Sequence, residues 1–341
     1  SKNEAIKLVE TKYGITVTKI EELNGYDDRN FKLETDTTSN NVNIKEIWPY
    51  GYVLKIINSD DSKNLKLIEA QNCLMLHLYK HRFNVPVPVL NREGNLYSLE
   101  QLASCPEMFY AVKLLTFVPG VLLNDSKPSV ELYKNVGTYM ANVNIALESF
   151  QHEAYNNYNS LWALENVVQV RKYYYAVDDN QQLALVEQHI SKFEELVVPV
   201  IPTLEKGMIH GDFNEHNLLT EGDQIWALLD FGDAHYSPYL FEVAICICYM
   251  LIHSKDICYG REIINGYTKR RKLTENEERL VKICVCARLA QSLVLGLHSY
   301  KIYKTKYVLS SHQVGWDILR KLTECDELEL KKLWQLNYIY N

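Results

Sequence analysis

The sequence predicts an α+β protein of two lobes, a small β-rich one over residues 1–117 and a larger, mostly helical one over 118–341. Three observations carry this. Short apolar runs of strand type, separated by turn residues, crowd the first third, while helical periodicity dominates from Pro128 onward. Val118-Pro119-Gly120, a turn signal, falls where one pattern replaces the other. At 341 residues the chain is at the upper limit for one core, so two packed bodies are expected.

In the first lobe, Ile15–Leu23, Asn30–Glu34, Tyr52–Ile57, Val87–Leu90, Leu96–Gln101 and Phe109–Phe117 read as strands. A single helix interrupts them from about Ser62 to Phe83 and stops before Pro86 and Pro88. In the second lobe, helices are expected over Val130–Phe150, Leu161–Ala176, Gln182–Glu205, Tyr239–His253 and Glu275–Tyr300. Met208–Phe231 departs from this pattern, with short strand-type runs around polar residues.

Hydrophobic residues at 47% and charged ones at 23% are ordinary for a globular chain. A net charge of -7 argues against a nucleic-acid partner, which needs a basic surface, and suits a ligand carrying amines. Eight cysteines occur without a C-x-x-C pair and read as reduced core fillers, consistent with a reducing compartment. Tyr239–Ile252, the most apolar run, is too short to span a bilayer and contains Glu242. The chain opens Ser1-Lys2-Asn3-Glu4 without a secretory pattern, and no membrane partner is expected. These features predict a cytoplasmic protein, and no residue pattern fixes an oligomeric state.

The chemistry concentrates in His210-Gly211-Asp212-Phe213-Asn214-Glu215-His216-Asn217, followed by Leu229-Asp230-Phe231-Gly232-Asp233. Phosphoryl transfer needs a carboxylate facing the attacking hydroxyl and oxygen ligands for magnesium. Asp212 and Asn217, with four residues between them, have the spacing of a kinase catalytic loop, and Asp230-Phe231-Gly232 has the form of its metal site. Alone, either element is an ordinary turn; in this order, flanked by apolar runs, they point to phosphoryl transfer. His210 reads as a structural brace of the loop and His216 as an exposed residue.

Upstream, Tyr52-Val53-Leu54-Lys55 is a strand delivering a lysine suited to nucleotide phosphates, with Glu69 on the next helix as its ion partner. The alternative is an edge lysine and a solvated glutamate. No G-x-G-x-x-G is present; the corresponding turn is Asn24-Gly25-Tyr26-Asp27-Asp28-Arg29-Asn30-Phe31, where Arg29 and Asn30 are candidate phosphate contacts or parts of a plain hairpin. Helical periodicity resumes near Tyr239 and no A-P-E follows, which leaves little room for a peptide platform and favours a small-molecule acceptor.

These motifs resemble the aminoglycoside phosphotransferase and choline kinase superfamily. Within it the chain is similar to the hydroxylysine kinases, through Gly25–Phe31, Leu67-Ile68-Glu69-Ala70-Gln71-Asn72, Leu114–Gly120, Phe241–Ile245 and Cys286–Leu293. The resemblance runs from about residue 20 to the end. It implies a bilobal protein-kinase-like fold and transfer from GTP (or ATP) to 5-hydroxy-L-lysine. It makes Asp212 the proton acceptor, Asn217 and Asp230 the Mg2+ ligands, and Lys55 a phosphate contact paired with Glu69. Leu115, Thr116 and Phe117 become the hinge whose backbone reads the purine. An acceptor with two ammonium groups and a carboxylate calls for acids and an arginine; Asp233, Glu242 and Arg288 are the candidates. Asp233 as a turn cap, and Glu242 as a snorkelling helix residue or a partner of a core arginine, are the alternatives. Trp162 and Tyr173-Tyr174-Tyr175 read as core. Another acceptor of the superfamily (choline, ethanolamine, homoserine, an aminoglycoside) remains an alternative. A pseudokinase scaffold fits less well, because Asp212, Asn217 and Asp230 are all present.

Overall fold

The computed structural model describes all residues except Asn24, Tyr26, Asp27, Ser104, Asn157, 305–308, 310, 311 and 339–341. Its chain divides into two compact units, and the fold is α+β. The first unit comprises residues 1–119 with 152–155 and 227–229; the second holds the rest.

The first unit opens with a helix, α1 (Lys2–Leu8), that the sequence reading omits although its signal is present. Ser1 and Glu4 form a capping box, and Ala5, Leu8 and Val9 repeat at helical spacing. There follow β1 (Ile15–Leu23), β2 (Arg29–Ser39), β3 (Tyr52–Ile56), helix α2 (Leu65–Lys80), β4 (Ser98–Leu102) and β5 (Cys105–Thr116). The strands make one antiparallel sheet in the order β1-β2-β3-β5-β4. Period-two alternation gives it two characters. Phe31, Leu33, Tyr52, Leu54, Val112 and Leu114 face one way and bury against α1. Lys55 and Lys113 face the other way. The expected strand at Val87–Leu90 is reduced to a bridge between Pro88 and Leu115. Pro86 and Pro88 have no N–H to give a ladder, so only Val87 and Val89 bond to the β5 backbone.

The second unit contains β6 (Val121–Leu122), α3 (Val130–Leu147), α4 (Asn180–Leu196), β7 (Lys206–Ile209), β8 (Leu218–Glu221), β9 (Gln224–Leu228), β10 (His235–Pro238), α5 (Tyr239–Ser254), α6 (Gly260–Thr268), α7 (Glu275–Tyr303), α8 (His312–Glu324) and α9 (Glu327–Trp334). The final residues of β9 belong to the first unit. Leu164–Ala176, expected as an α-helix, winds as 3-10 turns. Its valines and consecutive tyrosines are weak helix formers. The sequence reading also omits α6, α8 and α9. α6 is short and carries Gly260 and Gly266, but Gly315, Trp316, Ile318, Leu319 and Leu322 made the apolar stripe of α8 legible.

Two helices organise this unit. α5 is buried around nearly its whole circumference. α7 starts at a Thr274–Glu277 capping box and runs 29 residues. Among the described residues, α7 is long and apolar enough by length and composition to cross a membrane. However, 83% of its most apolar window is buried inside the protein, the burial of a core helix. Cys246, Cys248, Cys284 and Cys286 pack unpaired along α5 and α7.

Candidate active site

The catalytic stretch begins where β7 ends. Gly211 takes φ +79°, and a Cβ there would lie 2.3 Å from the Asp233 carbonyl oxygen, so a side chain is excluded on both counts. This close approach lets the chain turn after His210. The His210 ring is buried edge-on against Phe213 and Phe231, with centroids 5.9 and 5.0 Å away, and its Nδ1 accepts the Asp212 N–H at 3.3 Å. It braces the loop, as its sequence context suggests.

Asp212 and Asn217 meet. The Asn217 Nδ2 donates to Asp212 Oδ2 at 2.8 Å and to the Asp212 carbonyl at 3.0 Å. Asn214 Nδ2 donates to the same carboxylate oxygen at 2.8 Å, while its own Oδ1 accepts the N–H groups of His216 and Asn217. The Asn217 amide nitrogen is thereby directed at Asp212, which turns its Oδ1 the other way. Asp212 itself is one-quarter exposed. A partly exposed carboxylate held by two amide donors has the form that a preorganised proton acceptor requires.

Asp230 follows β9, is exposed, and adopts φ +50°, a conformation that Asp tolerates better than most residues. One of its oxygens accepts the Gly232 N–H at 3.2 Å. Among the described residues no three His, Cys, Asp or Glu side chains converge on a metal position. A carboxylate and an amide oxygen suit magnesium, which binds through one or two protein ligands and completes its shell with phosphate and water.

The acceptor candidates separate. Asp233 is partly exposed, and its carbonyl accepts the His235 Nδ1–H at 2.7 Å. A carbonyl cannot donate, so Nδ1 carries the hydrogen. Burial pushes the His235 pKa down to about 4, and the ring is neutral. Glu242, expected as an acceptor contact, is shut away from solvent instead. It is fully buried on α5, and its two oxygens accept the backbone N–H groups of His210 at 2.5 Å and Gly211 at 3.1 Å, with Asn144 Nδ2 3.5 Å away. Both oxygens are engaged by the loop, so Glu242 is a brace, and burial raises its pKa. Arg288 on α7 is buried, and its Nη2 stands 3.5 Å from Asp212 Oδ1. Trp162, expected in the core, is instead half-buried over that guanidinium, and Tyr175 is exposed. Sequence reasoning gave no role to Glu215. It is buried, one oxygen has no hydrogen-bond partner among the described residues, and burial pushes its pKa up to about 7 with the Asp212 charge adding to the shift.

In the first unit, register places Asn30 and Lys113 directly across from Lys55, forming one cross-strand row. Lys55 Nζ pairs with Asp28 Oδ2 at 3.1 Å. Glu69, the expected partner, is exposed. The buried stripe of α2 runs through Leu67, Ile68, Gln71, Leu74, Met75 and Leu78, and Glu69 lies off it. From that stripe Gln71 accepts from the buried Lys113 at 3.3 Å. Asp28 also accepts from the Asn58 backbone at 2.8 Å, so it ties two strand ends together. Arg29 pairs with Glu22. Asn24, Tyr26 and Asp27 of the expected phosphate turn lie outside the described residues. In the expected hinge of Leu115, Thr116 and Phe117, the Thr116 N–H bonds Val87, the Phe117 N–H bonds Gly51, and the Phe117 carbonyl accepts Trp48 Nε1 at 2.8 Å. The N–H groups of Thr116 and Phe117 complete this unit's own structure, so they offer no donors to a base.

Residues 19–278 match the phosphotransferase enzyme family, over most of the chain and across both site regions. The chain belongs to that family. This phosphotransferase is 32% identical to the hydroxylysine kinase of Mus musculus, covering 97% of this chain and 91% of the other. To that of Xenopus laevis it is 30% identical, covering 98% and 92%. A homoserine kinase of Bradyrhizobium diazoefficiens is 31% identical over 60% of each chain. In fold, the phosphotransferase is similar to a microcompartment-associated aminopropanol kinase, with a TM-score of 0.74 and 15% identity over 97% of this chain and 100% of that one. Amicoumacin kinase hAmiN gives a TM-score of 0.72 and 14% identity over 98% and 97%. The phosphotransferase is a small-molecule kinase with an alcohol acceptor.

Proposed function

We propose that the chain transfers the γ-phosphoryl group of GTP to the hydroxyl of 5-hydroxy-L-lysine. The observation that carries the reaction is Asp212, fixed by the amides of Asn214 and Asn217 yet one-quarter exposed. The acceptor oxygen forms a bond to the γ-phosphorus as the bond to the bridging oxygen breaks. GDP leaves, and Asp212 takes the hydroxyl proton. Asn217 Oδ1 and the Asp230 carboxylate would hold Mg2+, which supplies neutralisation of phosphate charge. Lys55, with Asn30 beside it, binds phosphate oxygens, and Asp28 keeps the Lys55 ammonium oriented before nucleotide arrives. Asp233 meets an ammonium group of the acceptor.

Identity of 30–32% to hydroxylysine kinases, over nearly the whole chain, supports the acceptor, and GTP in preference to ATP rests on the same resemblance. Homoserine is the second reading, supported over a shorter stretch. Unpaired cysteines, including the exposed Cys258, suit a reducing cytoplasm. The test is turnover of GTP and ATP against hydroxylysine, homoserine, choline, ethanolamine and an aminoglycoside. Hydroxylysine with GTP should give the highest kcat/KM, and lysine, lacking the hydroxyl, should inhibit without reacting. Faster turnover of another acceptor would displace hydroxylysine and leave the kinase assignment standing.

A further inference from the structure

Arg288 is a buried cation whose hydrogen bonds are incomplete in a specific way. Its Nη1 donates to the Trp162 carbonyl at 2.8 Å and to Gln291 Oε1 at 3.0 Å, both neutral. Gln291, one helical turn along α7 and fully buried, is fixed in turn by donating to the carbonyls of Leu161 and Ala163. The Trp162 and Tyr249 rings lie 5.3 and 5.4 Å from the guanidinium carbon. These contacts set the orientation of the guanidinium plane without neutralising its charge.

The opposite edge is different. Nε is buried with no hydrogen-bond partner among the described residues, and Nη2 has the Asp212 oxygen at 3.5 Å, too long for a strong bond. Nε and Nη2 are parallel donors, the edge that a carboxylate grips in two places. A buried guanidinium with that edge unsatisfied is costly unless an anion arrives. It lies beside the proposed base and within electrostatic reach of Asp233. An anion bound there therefore sits next to the reacting hydroxyl and near an acid able to take an ammonium group.

We propose that the Nε–Nη2 edge of Arg288 anchors the carboxylate of the acceptor, which makes this site selective for hydroxylated amino acids over amino alcohols. The inference rests on the reading of Asp212 as the base of a small-molecule kinase. It names a specificity-determining residue, and Gln291 acts through it by positioning.

The experiment compares two acceptor pairs that differ by one carboxylate: hydroxylysine with its decarboxylated diamino alcohol, and homoserine with 3-aminopropanol. Each is measured on the wild-type enzyme and on R288Q and R288K. The wild-type enzyme should favour the carboxylate member by about 10–10²-fold in kcat/KM, the worth of a charged hydrogen-bonded contact. R288Q should erase that preference through KM, and R288K should restore part of it. Loss of contact with Asp212 should lower kcat for both members of a pair alike. The proposal is overturned if the wild-type enzyme shows no carboxylate preference. It is equally overturned if R288Q slows both members without changing their ratio, because Arg288 would then serve Asp212 alone. Should homoserine react and hydroxylysine not, the acceptor reading fails while the homoserine pair still decides the role of Arg288. If no pair reacts in the wild-type enzyme, the inference falls with the reading beneath it.

Discussion

The two units that hold the candidate site residues are built on different plans. In the second unit the catalytic loop is held from every side: Asn214 and Asn217 grip Asp212, Glu242 binds the His210 and Gly211 backbone, and His210 packs on Phe231. In the first unit Asn30, Lys55 and Lys113 stand in one cross-strand row, with Asp28 beside Lys55 and Gln71 beside Lys113. The difference separates two tasks. A proton acceptor gains from being fixed before substrate arrives, because reorganisation during the reaction slows it. A phosphate-binding cation has to turn part of its hydrogen-bonding capacity to a ligand while a neighbouring carboxylate keeps it oriented.

The largest effect should come from Asp230→Ala. Removing the carboxylate from the second unit should abolish magnesium-dependent turnover. Nucleotide titrations with and without magnesium provide the check: if the variant keeps the wild-type magnesium enhancement, Asp230 is not a ligand. In the first unit, Lys55→Met should raise the KM for nucleotide about 10–100-fold, the worth of a charged hydrogen bond. Glu69→Gln should change it less than Asp28→Asn, since Asp28 is the carboxylate beside Lys55. The reverse order would restore Glu69 as the partner and make the first unit's arrangement as closely determined as the second's.

Glu242→Gln sharpens the contrast through stability. Glutamine has one acceptor oxygen where glutamate offers two, so one of the two loop N–H groups loses its partner. A loss of about 1–3 kcal/mol should follow in urea unfolding. An unchanged midpoint would mean that the loop does not depend on this brace. The smallest effect lies away from the chemistry, at His189 on α4, buried with Nε2 2.8 Å from Thr323 Oγ1. Burial, with the Lys192 and Lys282 charges, holds its pKa down at about 4. As pH falls below its ordinary value near 6.5, the unfolded chain binds a proton that the folded chain refuses, so stability is lost between pH 6.5 and 4 and levels off below. His189→Gln should remove about 1 kcal/mol of the stability difference between pH 7 and 5.5. Identical pH slopes for variant and wild-type protein would rule out this contribution.

What the sequence made legible follows the range of the interactions. The pairing of Asp212 with Asn217 is a matter of five positions along one loop, so spacing alone announces it. The β2–β3–β5 row is also local in its logic, because period-two alternation fixes which residues share a face. Glu242 and Arg288 were visible as charges in apolar helices, yet their partners lie on other elements, and spacing could not tell brace from ligand contact. Gln291, one turn from Arg288, could have been found by asking which polar neighbour a buried arginine on α7 would need. Glu69 misled because a motif position does not state which face of a helix is buried; the apolar stripe of α2 did carry that information. Asp28 and Lys113 become visible only once strand register is known.

The central claim is that the second unit presents a preformed base, and Asp212→Asn tests it most directly when kcat and nucleotide affinity are measured on the same preparation. The account predicts a fall in kcat of about 10²–10⁴, with nucleotide Kd and the unfolding midpoint close to those of the wild-type enzyme. Turnover near the wild-type rate in a folded, nucleotide-binding variant would contradict it.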